Sequence, residues 1–162
     1  MRAKLEECEV TAIDTAELEK MRSLLRKWIL DVEPEAATQG INHVAMFAKD
    51  LEATAAFYSE VMGMPVVGVT PNRDVPESTH VNVAIGNGMT FSFFDFPHVP
   101  GLRRRAPEGV GGIMHIALPV QRKRLEEIKG RLQQYRVEFQ EIGGGLYFKD
   151  PNGLGIELMP QG

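Results

Sequence analysis

Only one cysteine and one tryptophan occur in 162 residues. A lone thiol cannot close an internal disulfide, and nothing around Cys8 suggests a thiolate with a histidine partner, so it reads as a bystander. No stretch approaches the roughly 18 uninterrupted apolar residues of a membrane span. The opening residues MRAKLEECEVTAIDTAELEK lack an apolar signal core, so no membrane partner and a cytoplasmic location are expected. Positive charge is also in short supply. Eighteen Lys and Arg stand against 22 Asp and Glu, a net charge of −4, whereas nucleic-acid binders usually present a basic surface. What remains is 43% hydrophobic and 25% charged, the balance of a globular chain with a real core and about one domain in length.

The charge is uneven. Residues 1–39 hold six basic against nine acidic residues, and residues 40–162 hold twelve against thirteen. In the leading segment Leu18, Met21, Leu24, Leu25, Trp28 and Ile29 recur at three- and four-residue spacing, which predicts an amphipathic helix from Asp14 to about Leu30. Asp14 with Glu17 three residues later suits its start. One such helix cannot bury its own stripe, so it is expected to pack on the body or on a second subunit. Asp31–Gly40, punctuated by Pro34 and Gly40, reads as a linker. The expected division is therefore a helical extension over 1–39 and a body over 40–162.

The body repeats itself. GINHVAM at 40–46 returns as GIMHIAL at 112–118, a shift of 72; Asn87-Gly88 and its following strand return at Asn152-Gly153, a shift of 65. Each copy reads as strand, helix and three strands. In the first they fall near 42–47, 51–62, 65–69, 80–85 and 89–96, with Asn87-Gly88 as a two-residue hairpin. In the second they fall near 113–120, 122–135, 137–142, 145–148 and 154–159. The expected fold is α+β, two βαβββ modules over about 40–98 and 112–160 forming a curved mixed sheet around a metal site, with an extra N-terminal helix.

Side chains alternate across a strand, so His43, Ala45 and Phe47 share one face and Val44 and Met46 the other. The same parity sets His115 with Ala117 and turns Glu157 away from Ile156 and Leu158. Larger apolar residues suit the helix-covered side, which leaves both histidines and the glutamate on the open side. Two imidazoles and one carboxylate are the facial triad that holds a divalent ion, Fe(II) above all, with coordination positions open. A carboxylate between apolar neighbours is costly to bury unless paired or metal-bound. By the same parity Phe47, Phe94 and Phe96 line the open side, while Phe57, Tyr58, Phe91 and Phe93 belong to the core.

The strings GINHVAMFAKDLEATAAFYSEVMGMPVV and GIMHIALPV…LYFKDPNGLGIEL resemble the vicinal oxygen chelate superfamily over about residues 40–160. That group includes glyoxalase I, epimerases, fosfomycin resistance transferases, bleomycin resistance proteins and extradiol dioxygenases. The resemblance implies a divalent metal on His43, His115 and Glu157, with Fe(II) favoured and Zn, Mn or Ni possible. Glyoxalase-like members carry a further acidic ligand at the slot where this chain has Ser92, so the three-ligand pattern matches extradiol dioxygenases and fosfomycin-type transferases. Tyr147 matches a tyrosine that ring-cleaving members place near the substrate. Met89 stands where two-domain extradiol enzymes have a catalytic histidine, and His80 or His98 could substitute for it. Tyr147 and His80 are the candidate catalytic residues.

Three readings follow. The first is a ring-cleaving dioxygenase acting on a small molecule able to chelate the metal. The second is a metal-dependent lyase, isomerase or thiol transferase, and the third a drug-binding protein without turnover. A homodimer is expected from the resemblance and the uncovered helix stripe. Arg103-Arg104-Arg105 could steer an anion, although a linker run of charges is usually just solvated. The loop Thr70–Ser78 has the turn composition of a flap.

Overall fold

A computed structural model of the chain describes residues 14–29, 38–104 and 109–161. Cys8, Leu30, most of the 31–40 linker and Arg105 lie outside the described residues. The chain divides into two compact units, Met1–Gly40 and Ile41–Gly162.

The first unit contains helix α1, Thr15–Arg26. Asp14 is its N-cap, accepting from the Ala16 amide at 2.9 Å and the Glu17 amide at 3.2 Å, which satisfies two donors that the first turn leaves unpaired. The helix is shorter than its apolar period. Beyond Arg26 the bonds tighten to three-residue steps, Trp28 to Leu25 and Ile29 to Arg26, both 3.0 Å. No residue of α1 is buried, and Met21, Leu24 and Leu25 are each at least half exposed. Its apolar stripe is left uncovered within this unit.

The second unit opens with β1 (His43–Phe47) and α2 (Leu51–Ala56), which continues as a π-helical turn over Phe57–Val61. Asp50 caps α2, accepting from the Ala53 amide at 2.9 Å. Strands β2 (Val66–Pro71), β3 (Thr79–Gly86) and β4 (Met89–Asp95) complete the first module. After a 3-10 turn over Pro100–Arg103, the second module runs β5 (Ile116–Gln121), α3 (Arg122–Gln134), β6 (Phe139–Ile142), β7 (Gly145–Lys149) and β8 (Gly155–Gln161). The expected βαβββ unit therefore occurs twice. Each module contributes a four-stranded mixed sheet, ordered β1-β4-β3-β2 in the first and β5-β8-β7-β6 in the second. In each, the first and last strands of the module pair in parallel and the remaining pairs are antiparallel.

The registers of the two sheets repeat. Ala45 faces Ser92 as Ala117 faces Glu157, and Asn82 faces Ser92 as Tyr147 faces Glu157. The Asn87-Gly88 hairpin forms as the sequence predicts, with φ of 50° and 75°, left-handed values that asparagine and glycine tolerate best. Several strand ends differ by one or two residues, and the largest difference is at β5, which begins at Ile116 rather than Ile113, because its partner β8 offers no ladder before Gly155. His115 thus sits at the mouth of the strand.

Helix α2 packs on β3 and β4, while α3 packs on β5, β8 and the π-helical turn. The resulting core spans both modules, with Tyr58, Phe91, Phe93, Leu132 and Leu158 almost fully buried. Tyr58 stands against Phe93 and Phe91 at 5.1 and 5.7 Å. Phe57, Tyr58, Phe91 and Phe93 take the core role that their strand and helix positions predict.

A polar junction ties the modules together around Asp150, which is only 4% exposed. Its Oδ1 accepts from the amides of Asn152 and Leu154, both 2.8 Å, and its Oδ2 from the Tyr58 hydroxyl and the Asn152 side chain, both 3.2 Å. Asn152 also reaches the Lys49 amide at 3.0 Å and Thr54 Oγ1 at 3.1 Å. Arg131 Nε donates to the Val61 carbonyl at 2.6 Å. Burial raises the Asp150 carboxyl above the usual carboxylate range despite these donors, and burial with the neighbouring Asp150 raises the Tyr58 hydroxyl. A carboxyl held high in the folded state contributes stability that is full below its unfolded pKa and lost as pH rises through the folded one. The stability advantage of the native protein over D150N, measured by urea unfolding, should therefore shrink between pH 4 and pH 7. Asp150→Ala should cost about 2–4 kcal/mol near pH 4, because it strands the buried Tyr58 hydroxyl and two backbone amides, and the cost should fall toward pH 7 as the native carboxyl is forced to ionise.

Candidate functional site

Strand parity places the site residues as expected. On β1, His43, Ala45 and Phe47 are exposed while Val44 and Met46 pack on the core. His115 and Ala117 are exposed beside the partly or fully buried Ile116 and Leu118, and Ile156 and Leu158 are buried on either side of Glu157. Each sheet therefore has one helix-covered face and one open face.

The open face of the second module brings three polar side chains together. His115 Nε2 lies 2.9 Å from Glu157 Oε2, with side chains 36% and 14% exposed. Tyr147, directly opposite Glu157 on β7, donates its hydroxyl to Glu157 Oε1. Both oxygens of a mostly buried carboxylate are thus engaged, which offsets the cost of holding it between apolar neighbours. The hydrogen bond to Glu157, then burial and the carboxylate's charge, raise the Tyr147 hydroxyl above its ordinary value, so Tyr147 keeps its proton at neutral pH. Its ring meets His115 edge-on at 5.8 Å. Gly155 makes this packing possible: a Cβ there would lie 2.4 Å from the Met114 carbonyl oxygen and 3.0 Å from His115 Cβ.

The first module has the same frame with different chemistry. His43 Nδ1 meets Asn42 Oδ1 at 2.8 Å, an acceptor that favours the Nδ1–H tautomer of the neutral ring, in which the lone pair falls on Nε2. At the slots of Tyr147 and Glu157 stand Asn82 and Ser92, and the Ser92 hydroxyl donates to Asn82 Oδ1 at 2.7 Å. These residues, with Asn42, His43 and His80, line an open depression of about 310 Å³. His80 stacks on Phe94 at 4.2 Å and 15°, and the aromatic row runs on through Phe96 to Phe47. His98 follows at 6.1 Å from Phe96.

Of the residues expected to hold a metal, His115 and Glu157 meet directly, while His43 stands on the open face of the other sheet. Among the described residues of one chain, no three His, Cys, Asp or Glu side chains are grouped to hold one ion. Tyr147 lies in the His115–Glu157 cluster, and His80 lines the same open depression as His43. Asn42, Asn82 and Gly155 were not singled out by sequence reasoning. The same 65-residue shift that aligns Ser92 with Glu157 aligns Asn82 with Tyr147 and could have found it.

The family model described as Glyoxalase/Bleomycin resistance protein/Dioxygenase superfamily matches residues 40–158. The chain is 30% identical over 131 residues to the "Putative ring-cleaving dioxygenase MhqE" of Bacillus subtilis (strain 168), spanning 75% of this chain and 41% of that one. It is 27% identical over 135 residues to a lactoylglutathione lyase of Arabidopsis thaliana, spanning 80% and 47%. The chain thus covers less than half the length of both relatives. Its fold matches the fosfomycin resistance protein FosX of Listeria monocytogenes, crystallised with Mn(II), at a TM-score of 0.59 and 19% identity over 77% of this chain and 94% of that one.

Gly155→Ala should displace the His115 backbone from β8. We expect a loss of about 1–3 kcal/mol, the usual cost of overpacking a tight contact. Comparison of the His115 ring resonances in the two proteins would reveal a parted His115–Glu157 contact.

Proposed function

The chain belongs to the Glyoxalase/Bleomycin resistance protein/Dioxygenase superfamily, and on that premise we propose that it is a divalent-metal-dependent enzyme of the ring-cleaving dioxygenase type. Its metal ligands are His43, His115 and Glu157, and Fe(II) is the favoured ion. The observation that carries this reading is the 2.9 Å approach of His115 Nε2 to Glu157 Oε2. Two donors each about 2.1 Å from one ion and at right angles to it stand ~3 Å apart, so this pair fits the group. Asn42 supports the same assignment, because its Oδ1 favours the His43 tautomer whose lone pair lies on Nε2.

The helix-covered faces share one core, so the open faces of both modules are left to meet something else. We assign that role to a second copy, whose first module brings His43 to the His115–Glu157 pair. When bound, the ion polarises the adjacent oxygens of a chelated substrate and, as Fe(II), permits reaction with O₂. The chain supplies the rest. Tyr147 orients Glu157 and holds a proton at its hydroxyl, His80 holds or takes one on the opposing wall, and Phe47, Phe94 and Phe96 exclude water.

A Lewis-acid lyase, isomerase or transferase is the second reading, favoured by the similarity to the lactoylglutathione lyase. It suits this chain less well, because Ser92 stands where a proton-abstracting carboxylate would be needed.

Metal analysis of protein purified without added metal tests the proposal. Iron, with O₂ uptake on catechols, is expected; zinc, nickel or manganese without O₂ uptake would select the second reading, and failure to bind any divalent ion would overturn both. His115→Ala should abolish metal binding, and so should His43→Ala. If the site spans a dimer, an equal mixture of the two variants, unfolded and refolded together, should recover about a quarter of wild-type occupancy, because half the dimers carry one intact site. A site within one chain recovers none.

A further inference from the structure

Helix α1 leaves its apolar residues in solvent, and their order along the chain says what could cover them. Numbered as heptads, the segment places Leu18 and Leu25 at a and Met21 and Trp28 at d. Leu24 then falls at g and Ile29 at e, beside that seam. Met21, Leu24, Leu25, Trp28 and Ile29 are 50–75% exposed, so the uncovered stripe occupies just the positions that a pair of helices uses. Glu19, Lys20, Ser23, Arg26 and Lys27 fall at b, c and f, on the outer side. The three-residue bonds that end the segment turn Trp28 a little further round the axis, toward the middle of the stripe.

Charge selects the orientation. Glu17 stands at g and Arg22 at the following e. In two parallel helices a g residue faces the next e residue of the other chain, so Glu17 of each copy meets Arg22 of the other and two ion pairs flank the seam. The next such pair is Leu24 with Ile29, which widens the apolar contact. An antiparallel pair would instead set e beside e, and so Arg22 beside Arg22 of the second copy. Within the helix, Arg26 and Arg22 share the Glu19 carboxylate at 2.6 and 3.6 Å, which leaves Arg22 the more loosely held. Glu17 has no ion-pair partner among the described residues.

We infer that α1 is the docking surface for α1 of a second copy, the two helices packed parallel and in register along Leu18, Met21, Leu25 and Trp28 and flanked by Glu17–Arg22 pairs. Two heptads fall short of the roughly three or four that sustain an independent coiled coil. The pair is therefore a tether within a dimer rather than its sole contact. Both chains leave a parallel pair at the same end, which holds the bodies that follow at a high effective concentration. That use of the tether rests on the metal site proposed above, which needs a second copy, but the pairing involves no metal ligand.

The experiment uses the full chain with Cys8→Ser, to which one cysteine is returned by Met21→Cys or, as an outward control, by Ser23→Cys. In register, position 21 faces itself across the seam within the reach of a disulfide, and position 23 does not. Under glutathione oxidation M21C should cross-link to a dimer about tenfold or more faster than S23C. Glu17→Arg added to M21C should slow the cross-link about threefold or more, as should Arg22→Glu, and the two together should restore it, all with unchanged melting curves. An antiparallel pair is recognised when M21C cross-links only with Leu25→Cys protein. A stripe covered by its own body is recognised when Trp28, the single tryptophan, emits as a buried ring in monomeric protein. Either result, equal rates for M21C and S23C, or charge reversals without effect overturns the inference. Metal recovery by the mixed His43→Ala and His115→Ala variants without the M21C cross-link overturns the pairing and leaves the metal site standing; the cross-link without that recovery does the reverse.

Discussion

The carboxylate of Asp150 is the point on which the body of the molecule depends. It lies between β7 and β8, and its four donors come from its own loop and from Tyr58 in the other module. A buried carboxylate with fewer partners would carry a large desolvation cost, so the loop conformation and the meeting of the modules are satisfied together or not at all. Asn152 extends the same network to Thr54 and the Lys49 amide at the entry to α2. The chain thereby joins its halves through their helix-covered sides, and both sheet faces that carry polar chemistry remain open.

That geometry explains why the proposed metal ligands do not all meet within one chain. His115 immediately precedes β5 and Glu157 lies on its neighbour β8, and the parallel pairing of these strands brings the two to 2.9 Å. His43 has the same position in the other sheet. Sheet register sets distances within a module, whereas the distance between modules depends on how whole faces are apposed. A two-fold arrangement of identical chains would present each first module to a second one, and two equivalent sites would follow from the symmetry.

The two modules also illustrate how duplication divides labour on a common frame. The backbone slots at 82 and 92 match those at 147 and 157, and in both copies the two side chains are hydrogen-bonded across the strands. One copy pairs a carboxylate with a phenol, and the other a hydroxyl with an amide. The same fold therefore offers complementary halves, with specificity carried by a few side chains rather than by the architecture.

Much of this was legible in the sequence because it depends on local periodicity. The alternation of His43 with Val44 and Met46, the left-handed preference of Asn87-Gly88 and the two repeat shifts all act over a few residues or one internal comparison, and they predicted the modules, the core aromatics and the exposed histidines. The N-cap at Asp14 was legible for the same reason, although the period overran the helix where its last turn tightened. Late entry into β5 was not legible, since it depends on where the partner strand begins. Gly155 needed the carbonyl of Met114, and the locked amide of Asn82 needed Ser92 from another strand. Sequence alone determined which face each polar residue occupies. Tertiary structure alone decided which faces meet, because that depends on the buried Asp150 junction between segments nearly a hundred residues apart.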